Sequence, residues 1–542
     1  MSNRPNSRDN DDILKSLSCE DQSNYMSIIE NGYESDGRSV SSSDFLATNF
    51  STLGDDDDDD DNNEDGFVSV GEEVSYILIN SLPLALAFLM EYLMTVISLF
   101  IIGHLCTANE LASASLAVTT YNITGLSVVE GLATSLDTFC SQAYGAQKYS
   151  KVGLYFLRCS AMIMVFSVST VIVWWFSAPW LGILVPERDL LPKVQLYLRI
   201  MSMGIPGLIL FETGKRFLQA QGHFKASTYV LSIIVPINVT LVFIFTKHFG
   251  FAGAPIGIVI SQWLMPLALF LYSYYIIPDT KKCWYPLTDT WFHFKRVLSD
   301  WKPLLNLAFP GLVMIEAEYL SFEILTIMST YFGVKGIATQ TVITNVGSIA
   351  YQIPFAMGCV VSTRVANYVG LNMVKNAQTT TKACYCVGLL VGIASCIVIA
   401  LFNKPLAKLF TNDEEVIKLA CYVLYILAIN QISDSFAVFS SAVLRGQGRH
   451  RIGGMWNIIV YYFFSSPLSG WLAFGPLHLE VAGLWYGCGI GIFTLAVIFT
   501  RYVYKSDWNV IVDEFLKREA EEYEVDLESM TSSNASIGVY SR

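Results

Sequence analysis

The middle of the chain, from Tyr76 to Tyr504, is a series of apolar stretches that are each long enough to cross a membrane as a helix. The hydrocarbon layer is about 30 Å thick, so a helix needs about twenty residues to span it. Helices also satisfy their own backbone hydrogen bonds inside lipid. Twelve spans are predicted: 77–103, 112–139, 154–178, 190–214, 226–247, 252–277, 303–332, 336–363, 382–402, 417–444, 452–474 and 481–504. The sequence therefore predicts an all-α polytopic membrane protein.

The composition agrees with this prediction and excludes a chain of several soluble domains. Apolar residues make up 53% of the chain and charged residues only 15%, against about 25% in soluble proteins. The net charge of −13 comes from the ends, because residues 1–75 contain 4 basic and 20 acidic residues and residues 505–542 contain 4 and 9. The N-terminal tail, residues 1–75, is too polar to form a core, and we expect it to be disordered, while residues 505–542 form a second acidic tail. The expected surroundings are the lipid bilayer, and no nucleic-acid partner is expected.

An internal repeat divides the spans into two halves. The matching pairs are Pro83 and Glu91 with Pro310 and Glu318, LQAQG at 218–222 with LRGQG at 444–448, and AG at 252–253 with AG at 482–483. Three matches in the same order predict two homologous six-helix lobes, residues 76–277 and 303–504, joined by a loop at 278–302. Because six is even, both lobes enter the membrane from the same side, and a central cavity is expected between them.

The distribution of Lys and Arg between the loops predicts how the chain is oriented. The loops on the side of the two tails contain 16 Lys and Arg residues, and they are the segments 140–153, 215–225, 278–302, 364–382 and 444–451. The loops on the opposite side contain only five. Because cytosolic loops carry an excess of basic residues, both tails are expected in the cytosol. The membrane itself is expected to be the plasma membrane or the vacuolar membrane.

Eight carboxylic acids lie within the predicted spans, where each costs about 2.5–3.5 kcal/mol on insertion scales and therefore suggests a function. They are Glu91, Glu130, Asp137, Glu212, Glu316, Glu318, Glu323 and Asp434. A structural role is predicted for Glu212, because Arg216 lies four residues later on the same helix and can form an ion pair with it. Asp137 lies a few residues before a loop, where it can cap a helix or pair locally.

Glu91, Glu318 and Asp434 lie near the middle of their spans, and no basic residue lies within one turn of them. An environment of low dielectric disfavours the charged form of a carboxyl group, so such a group can exchange a proton near neutral pH. The same carboxylate can neutralise a cationic solute, but it cannot readily hold the proton and the cation together. This competition predicts an exchanger, in which loading of the proton expels the cation and loading of the cation expels the proton.

Helical spacing relates the other acids to one another. Glu316 and Glu323 are seven residues apart and share a helix face, whereas Glu318 lies on a different face. Glu130 and Asp137 are also seven residues apart and share a face. The 11 cysteines form no pair with zinc-site spacing, and no catalytic motif lies on a span, so neither a metal centre nor an enzyme is predicted.

Five segments, in order through both lobes, form a recognisable pattern. They are GLATSLDTFCSQAYGAQ at 131–147, RFLQAQG at 216–222, EAEYLSFE at 316–323, STRVANYVG at 362–370 and DSFAVFSSAVLRGQG at 434–448. Together they resemble the MATE family, the multidrug and toxic compound extrusion transporters, and look most like its fungal and plant branch. The resemblance covers residues 76–504 and implies the MATE fold, with 12 transmembrane helices in two homologous lobes around a central cavity.

The resemblance implies roles for particular residues of the C-terminal lobe. The family has a proline followed after eight and thirteen residues by glutamates, and Pro310, Glu318 and Glu323 fill these positions. It also has an aspartate eleven residues before an arginine, and Asp434 and Arg445 reproduce that spacing. The resemblance therefore implies that Glu318, Glu323 and Asp434 form the cluster that responds to protons and to the solute.

The N-terminal lobe departs from the family pattern. Glu91 and Glu130 stand where related sequences often have glutamine, so this half of the cavity is expected to be unusually acidic. Glu91 is therefore kept with the coupling residues, while Glu316 falls on a position that is usually apolar in the family. The candidates for the cavity lining are Asn345, Tyr351, Glu130, Asp137 and Glu316.

Residues and resemblance together predict a monomeric secondary antiporter that exports organic solutes, cationic or amphiphilic, in exchange for protons. The proton is the expected coupling ion, since eukaryotic relatives generally use it, and no other cofactor is expected. A major-facilitator transporter also has six plus six helices, but residues 142–147 lack its basic motif. Two alternatives stay open: a flippase for lipid-linked oligosaccharides, which the eight acids disfavour, and a membrane sensor that does not transport.

Overall fold

The computed structural model describes residues 67–184, 187–286 and 296–522, and every regular element within these ranges is helical. The tail predicted for residues 1–75 lies outside the described residues as far as residue 66, and the C-terminal tail lies outside them beyond residue 522. The part of the chain that is described therefore contains all twelve predicted spans.

Twelve helical stretches correspond to these spans. They are α1 (Val70–Leu105), α2 (residues 108–145), α3 (Tyr149–Trp175), α4 (residues 191–220), α5 (Lys225–Phe249), α6 (Gly253–Tyr275), α7 (Lys302–Ser329), α8 (Gly333–Gly370), α9 (Val374–Leu401), α10 (Glu414–Gly446), α11 (residues 450–474) and α12 (Glu480–Tyr504). A further helix, α13, occupies residues 508–522. By length and apolar composition alone, seven stretches of the described chain qualify as membrane spans, with α5 and α6 counted together.

Capping side chains determine where the first two helices begin. The Ser69 hydroxyl accepts a hydrogen bond from the backbone N–H of Glu72, and the Glu72 carboxylate accepts one from the N–H of Ser69 at 2.7 Å. Thr107 and Glu110 form the same reciprocal pair at the start of α2. Because these boxes satisfy N–H groups that have no partner inside the helix, residues 70–75 form the first turns of α1.

Two of the spans are interrupted by π-helical turns. In α2 the π turn covers Asn122–Leu126, and in α11 it covers Ile459–Ser465. A π turn inserts an extra residue into the helix and is frequent near functional sites. Both interrupted helices still cross the bundle.

The two lobes, α1–α6 and α7–α12, meet through two pairs of helices that the internal repeat relates to each other: α1 with α8, and α2 with α7. The ends of α2 and α8 also cross in close contact. A Cβ atom added at Gly145 would collide with the carbonyl oxygen of Asn367, and one added at Gly370 would collide with that of Gln142. Gly145 and Gly370 are equivalent positions of the repeat, so both lobes need glycine at this crossing.

We call the end of the bundle at which α1 begins and α12 ends the terminal face, and here α1 is tied to the opposite lobe. The carboxylate of Glu73 is fully buried. It accepts hydrogen bonds from Arg364 Nη2 at 3.0 Å, the Tyr368 hydroxyl at 2.7 Å and the Thr380 hydroxyl at 2.9 Å. These three partners belong to α8 and α9, so the contact closes one side of the terminal face.

Contacts between the lobes end near the middle of the bundle. The Tyr92 hydroxyl donates to Asn345 Oδ1 at 2.9 Å, and the Ser127 hydroxyl donates to Glu316 Oε1 at 2.5 Å. Farther from the terminal face, the described residues include no hydrogen bond or ion pair that joins one lobe to the other. The polar contacts between the lobes are thus confined to the half of the bundle that includes the terminal face, from which we infer that the cleft between the lobes opens on the opposite side.

Four loops predicted on the tail side start later than expected, because α2, α4, α8 and α10 continue through their first residues. Four basic residues counted in those loops are therefore buried in helices and lie close to carboxylates: Lys215, Arg216, Arg364 and Arg445. These ion pairs compensate the cost of burying the charges, which allows the helices to extend. The other twelve still exceed the five on the opposite side.

Candidate functional site

The first cluster of predicted residues lies in the C-terminal lobe, on three neighbouring helices. The Tyr351 hydroxyl of α8 donates a hydrogen bond to Glu318 Oε2 of α7 at 3.4 Å. Asp434 of α10 is buried, with 8% of its surface exposed. Asp434 and Arg445 are both close enough to act electrostatically on Glu318. The fold therefore brings Glu318, Asp434 and Tyr351 together, whereas the cluster implied by the resemblance has Glu323 as its third member.

The position of α7 brings Glu318 close to the boundary between the lobes. Pro310 lies inside α7, and Gly311 follows it. A Cβ atom at Gly311 would collide with the Thr134 hydroxyl of α2, and one at Gly131 of α2 would lie 2.6 Å from the Cα atom of Leu312. The backbones of α2 and α7 are thus in direct contact two turns before Glu318.

Glu316 and Glu323 are not part of this cluster. Glu316 accepts its hydrogen bond from Ser127, so its side chain is turned towards the N-terminal lobe. Glu323 is half-buried, and no hydrogen-bond or ion-pair partner is found for it among the described residues. The structure therefore separates the three glutamates of α7 into three environments, although all three are close in sequence.

Asn345 lies on α8 beside the cleft and connects the two lobes. Its Oδ1 atom accepts the hydrogen bond from Tyr92, and its Nδ2 atom donates to the Thr341 carbonyl at 2.8 Å. Tyr351, two turns later, stacks on Phe355 with ring centroids 5.6 Å apart. The hydroxyl of Tyr351 is thus held next to Glu318 from one side of the cleft.

The second cluster lies in the N-terminal lobe and combines acids with a buried ammonium group. Lys215 Nζ lies 3.1 Å from Glu91 Oε1 and 2.8 Å from Glu212 Oε1. Carboxylate oxygens of Glu91, Glu130 and Glu212 lie within 4.8 Å of one another. The ammonium group also lies 4.7 Å from the ring centroid of Phe88, a cation–π distance. Three carboxylates could hold a cation here, and the Lys215 ammonium already neutralises part of their charge.

The pairing predicted between Glu212 and Arg216 was wrong. Glu212 pairs with Lys215, three residues later, and Arg216 Nη1 instead donates to Asp137 Oδ1 at 2.7 Å. Arg216 faces α2, because Nη2 also lies 3.3 Å from the Glu130 carbonyl. Spacing along one helix permits an ion pair but does not select it when a neighbouring helix offers a second carboxylate.

The sequence allowed a local partner for the Asp137 side chain, but the structure shows none among the described residues. Asp137 instead joins elements that are far apart in the chain. Its Oδ1 atom binds Arg216 of α4, and its Oδ2 atom lies 3.9 Å from Nε of Arg445 in the other lobe. Beside it, the Thr138 hydroxyl donates to the Arg445 carbonyl at 2.6 Å. Glu130 contacts Arg216 through its backbone carbonyl and not through its carboxylate, so the predicted common face of Glu130 and Asp137 stays a prediction.

Sequence reasoning missed three residues that shape these clusters. Lys215 directly follows the apolar run of its predicted span and was therefore assigned to a loop. Glu73 precedes the first apolar run and was therefore assigned to the acidic tail. The third residue, Tyr461, is buried on the π turn of α11, where Glu318 and Asp434 act on it electrostatically. The seven-residue π turn was not visible in the sequence, so nothing distinguished Tyr461 from other aromatic residues.

Comparison with known proteins supports the internal repeat directly. The MatE family profile matches residues 83–244 and 310–471, one match in each lobe. The two matched stretches start at Pro83 and Pro310, the residues from which the repeat was first identified. The duplication is therefore confirmed.

The chain is also similar to whole proteins. An uncharacterized transporter of Saccharomyces cerevisiae is 38% identical over 452 residues, which cover 82% of this chain but only 63% of that protein, less than two thirds of its length. Multidrug and toxin extrusion protein 2 of Mus musculus is 29% identical over 80% of this chain and 74% of its own length. The crystal structure of the eukaryotic MATE transporter AtDTX14 matches with a TM-score of 0.75 and 26% identity, over 83% of this chain and 98% of that one.

Proposed function

The chain belongs to the MatE family of membrane transporters, and from this premise we propose that it is a secondary antiporter that exports organic solutes in exchange for protons. The observation that carries the proposal is the position of Glu318 and Asp434. Both carboxyl groups lie inside the bundle of the C-terminal lobe, and the hydrogen bond that reaches Glu318 comes from a hydroxyl group, Tyr351. A carboxyl group in such surroundings can bind a proton or a cation without first breaking a strong ion pair.

The exchange cycle follows from competition for these two carboxyl groups. In the state described, the cleft opens on the side of the bundle opposite the terminal face. Protons therefore enter the cleft from this opposite side. Protonation of Glu318 and Asp434 removes the negative charge that holds a cationic solute, and the solute leaves. After the lobes reorient, the protons dissociate on the other side and the cluster binds the next solute molecule. One pH unit supplies about 1.36 kcal/mol per proton, and 100 mV supplies about 2.3 kcal/mol per charge moved.

The proposed direction of transport depends on the orientation of the chain. Basic residues outside the helices are concentrated at the terminal face, which favours placing this face and both tails in the cytosol of a plasma membrane or a vacuolar membrane. The cleft then opens to the exterior or to the vacuolar lumen, compartments that are commonly more acidic than the cytosol. Entry of protons from there drives solute out of the cytosol.

The chemistry around the carboxyl groups favours flat organic cations as solutes. Tyr351, which stacks on Phe355, donates a hydrogen bond to Glu318, and Tyr461 is close enough to Glu318 to interact with it electrostatically. Aromatic rings attract cations through their faces, so a carboxylate flanked by rings suits a cation that is also aromatic or amphiphilic. The name of the Mus musculus relative, a multidrug and toxin extrusion protein, supports the same class of solute.

In the N-terminal lobe, Glu91 is assigned a different part in this proposal. Its charge is balanced by Lys215, so in this state it is not free to bind an external cation. We therefore assign the exchange to the C-terminal cluster and a supporting electrostatic role to the N-terminal one.

The test is transport by the purified protein in proteoliposomes under an imposed pH gradient. Radiolabelled or fluorescent cations, including tetraethylammonium and ethidium, should accumulate inside the proteoliposomes only when the pH gradient is present. Uptake of each cation should be accompanied by a flux of protons out of the proteoliposomes. Neutral and anionic solutes of equal size are the controls. Uptake that is equal with and without the pH gradient, or the absence of uptake of any solute, would contradict proton antiport.

A further inference from the structure

Helix α13 connects the two lobes at the terminal face. It follows α12 of the C-terminal lobe through a linker at residues 505–507. The Ser506 hydroxyl in this linker donates to Gln447 Oε1 at 3.3 Å and accepts from Arg449 Nη1 at 3.4 Å. Both partners lie between α10 and α11, so the linker is fixed to the C-terminal lobe.

The body of α13 packs through an apolar stripe. Trp508, Ile511, Val512 and Phe515 are spaced as one face of a helix, and each is less than 8% exposed. The guanidinium group of Arg518 lies 4.7 Å from the ring centroid of Phe139 in α2, a residue of the N-terminal lobe. Through the apolar stripe and this contact, α13 extends from the C-terminal lobe to the N-terminal lobe.

Three ion pairs secure the far end of α13 on the N-terminal lobe. The Glu519 carboxylate lies 2.6 Å from Lys148 Nζ and 2.9 Å from Lys151 Nζ. Glu522 lies 3.4 Å from Lys151 Nζ and also accepts a hydrogen bond from the Tyr155 hydroxyl. Only 6% of the Glu519 side chain is exposed, but the side chain of its partner Lys148 is 42% exposed, so dissolved ions reach this pair from the side of Lys148.

Helix α13 covers the side of the terminal face that the transmembrane helices leave open. On the other side, Glu73 joins three residues of the C-terminal lobe directly. At the equivalent position of the repeat stands Asp300, which has one ion pair, 3.6 Å to Arg158, and a side chain that is 48% exposed. A cavity of about 830 Å³ lies beside it, between α3, α7 and α11, and α13 supplies Glu514 and Arg518 to its wall.

We propose that α13 is a latch, which holds the two lobes together at the terminal face and must leave the N-terminal lobe before that face can open. Because the linker is fixed to one lobe and the ion pairs are fixed to the other, any separation of the lobes pulls on α13. Release of the latch removes one wall of the 830 Å³ cavity. This role concerns the conformational change alone and does not depend on which solute or ion is exchanged.

The test measures the distance between the lobes in the full-length protein, reconstituted in lipid nanodiscs. Spin labels are attached through non-canonical amino acids at Ser150 and Gln378, two exposed residues at the terminal face on opposite lobes. Double electron–electron resonance then gives the populations of the closed and open states. Wild type should show mainly the short distance expected for the closed face.

Charge reversal of the latch provides the decisive comparison. The double variant Glu519→Lys/Glu522→Lys should increase the long-distance population at least five-fold. Adding Lys148→Glu and Lys151→Glu restores attraction with the signs exchanged, and the short distance should return. The matched control, Asp513→Lys/Glu521→Lys, makes the same change in charge on exposed positions of α13 and should leave the distribution as in wild type.

The effect of salt supplies an independent readout. Raising the ionic strength from about 0.1 to 1 M shortens the Debye length from about 10 to 3 Å. This should increase the open population of wild type and have no effect on the double variant, in which the attraction is already absent. An unchanged distance distribution in the double variant would overturn the latch, and so would failure of the four-residue exchange to restore closure in a protein that folds.

Discussion

Glu73 and Arg364 form a buried ion pair across the boundary between the two lobes, with 3.0 Å between Oε1 and Nη2. Glu73 lies in the first turn of α1, and Arg364 lies near the end of α8, 291 residues later. Two hydroxyl groups complete the coordination of the carboxylate. This cluster closes one side of the terminal face, so it must come apart in the proposed exchange cycle when that face opens.

Replacing Glu73 should therefore destabilise the closed state. Glu73→Ala leaves the Arg364 charge buried without its partner, and loss of one member of a buried pair costs about 3–5 kcal/mol. We expect a clearly lower midpoint of thermal unfolding, measured by fluorescence-detected size exclusion after heating. Glu72→Ala, which removes an exposed residue of the capping box, should cost only about 1 kcal/mol. Equal effects of the two substitutions would show that the buried pair contributes little.

The crossing of α2 and α8 should be equally sensitive to added volume. A methyl group at Gly145 or Gly370 collides with a backbone carbonyl, which cannot move as a flexible side chain can. Gly145→Ala and Gly370→Ala should each reduce the yield of folded protein, measured by the monodisperse fraction in detergent. In Gly71→Ala, the nearest atom is 3.9 Å away, and alanine in a helix is favoured over glycine by about 0.5–1 kcal/mol. This control should fold at least as well as wild type.

The sequence predicted the twelve crossings because each depends on local information, the length of an apolar run. It predicted the repeat and the resemblance for the same reason, from short matching segments. The pairs that hold the lobes together could not be derived in this way. Glu73 was grouped with the acidic tail, and nothing near it in the chain indicates Arg364. Glu212 was assigned to Arg216 by helical spacing, whereas the contact that forms depends on how α4 rotates against α1 and α2.

Lys215 should be essential for folding of the N-terminal lobe. It neutralises Glu91 and Glu212 at distances of 3.1 and 2.8 Å, so Lys215→Met leaves two close carboxylates without a counter-charge. We expect a loss of stability of about 3–5 kcal/mol, measured from thermal unfolding. The double variant Lys215→Met/Glu212→Gln removes one of the two charges and should recover part of the loss. Lys225→Met, at an exposed position, is the matched control. No recovery in the double variant would argue against an electrostatic origin.

Glu318 should be required for proton-driven transport, whereas Glu316 should not. Glu318→Gln keeps the shape of the side chain and its contact with Tyr351 but removes the exchangeable proton, so uptake under a pH gradient should fall at least ten-fold. Glu316→Gln preserves an acceptor for Ser127 and should retain most of the uptake. Both variants need equal amounts of folded protein in the vesicles, checked by size exclusion. Similar rates in wild type and Glu318→Gln would refute the proposed role.

The ion pairs of Glu519 should persist through mild acidification. Burial by itself raises the pKa of this carboxyl group, but the ammonium groups of Lys151 and Lys148 outweigh it and hold the pKa below its ordinary value. A carboxyl group whose pKa is lowered in the docked state stabilises that state fully at pH values above the pKa that the group has when the helix is released. This contribution is lost as the pH falls through the lowered pKa of the docked state. The distance distribution of wild type should therefore be the same at pH 7 and pH 5.5 and should shift to the open state only in stronger acid. Glu519→Gln should be open to the same extent at pH 7 and at pH 5.5. A wild-type transition near neutral pH would mean that a different group controls the release.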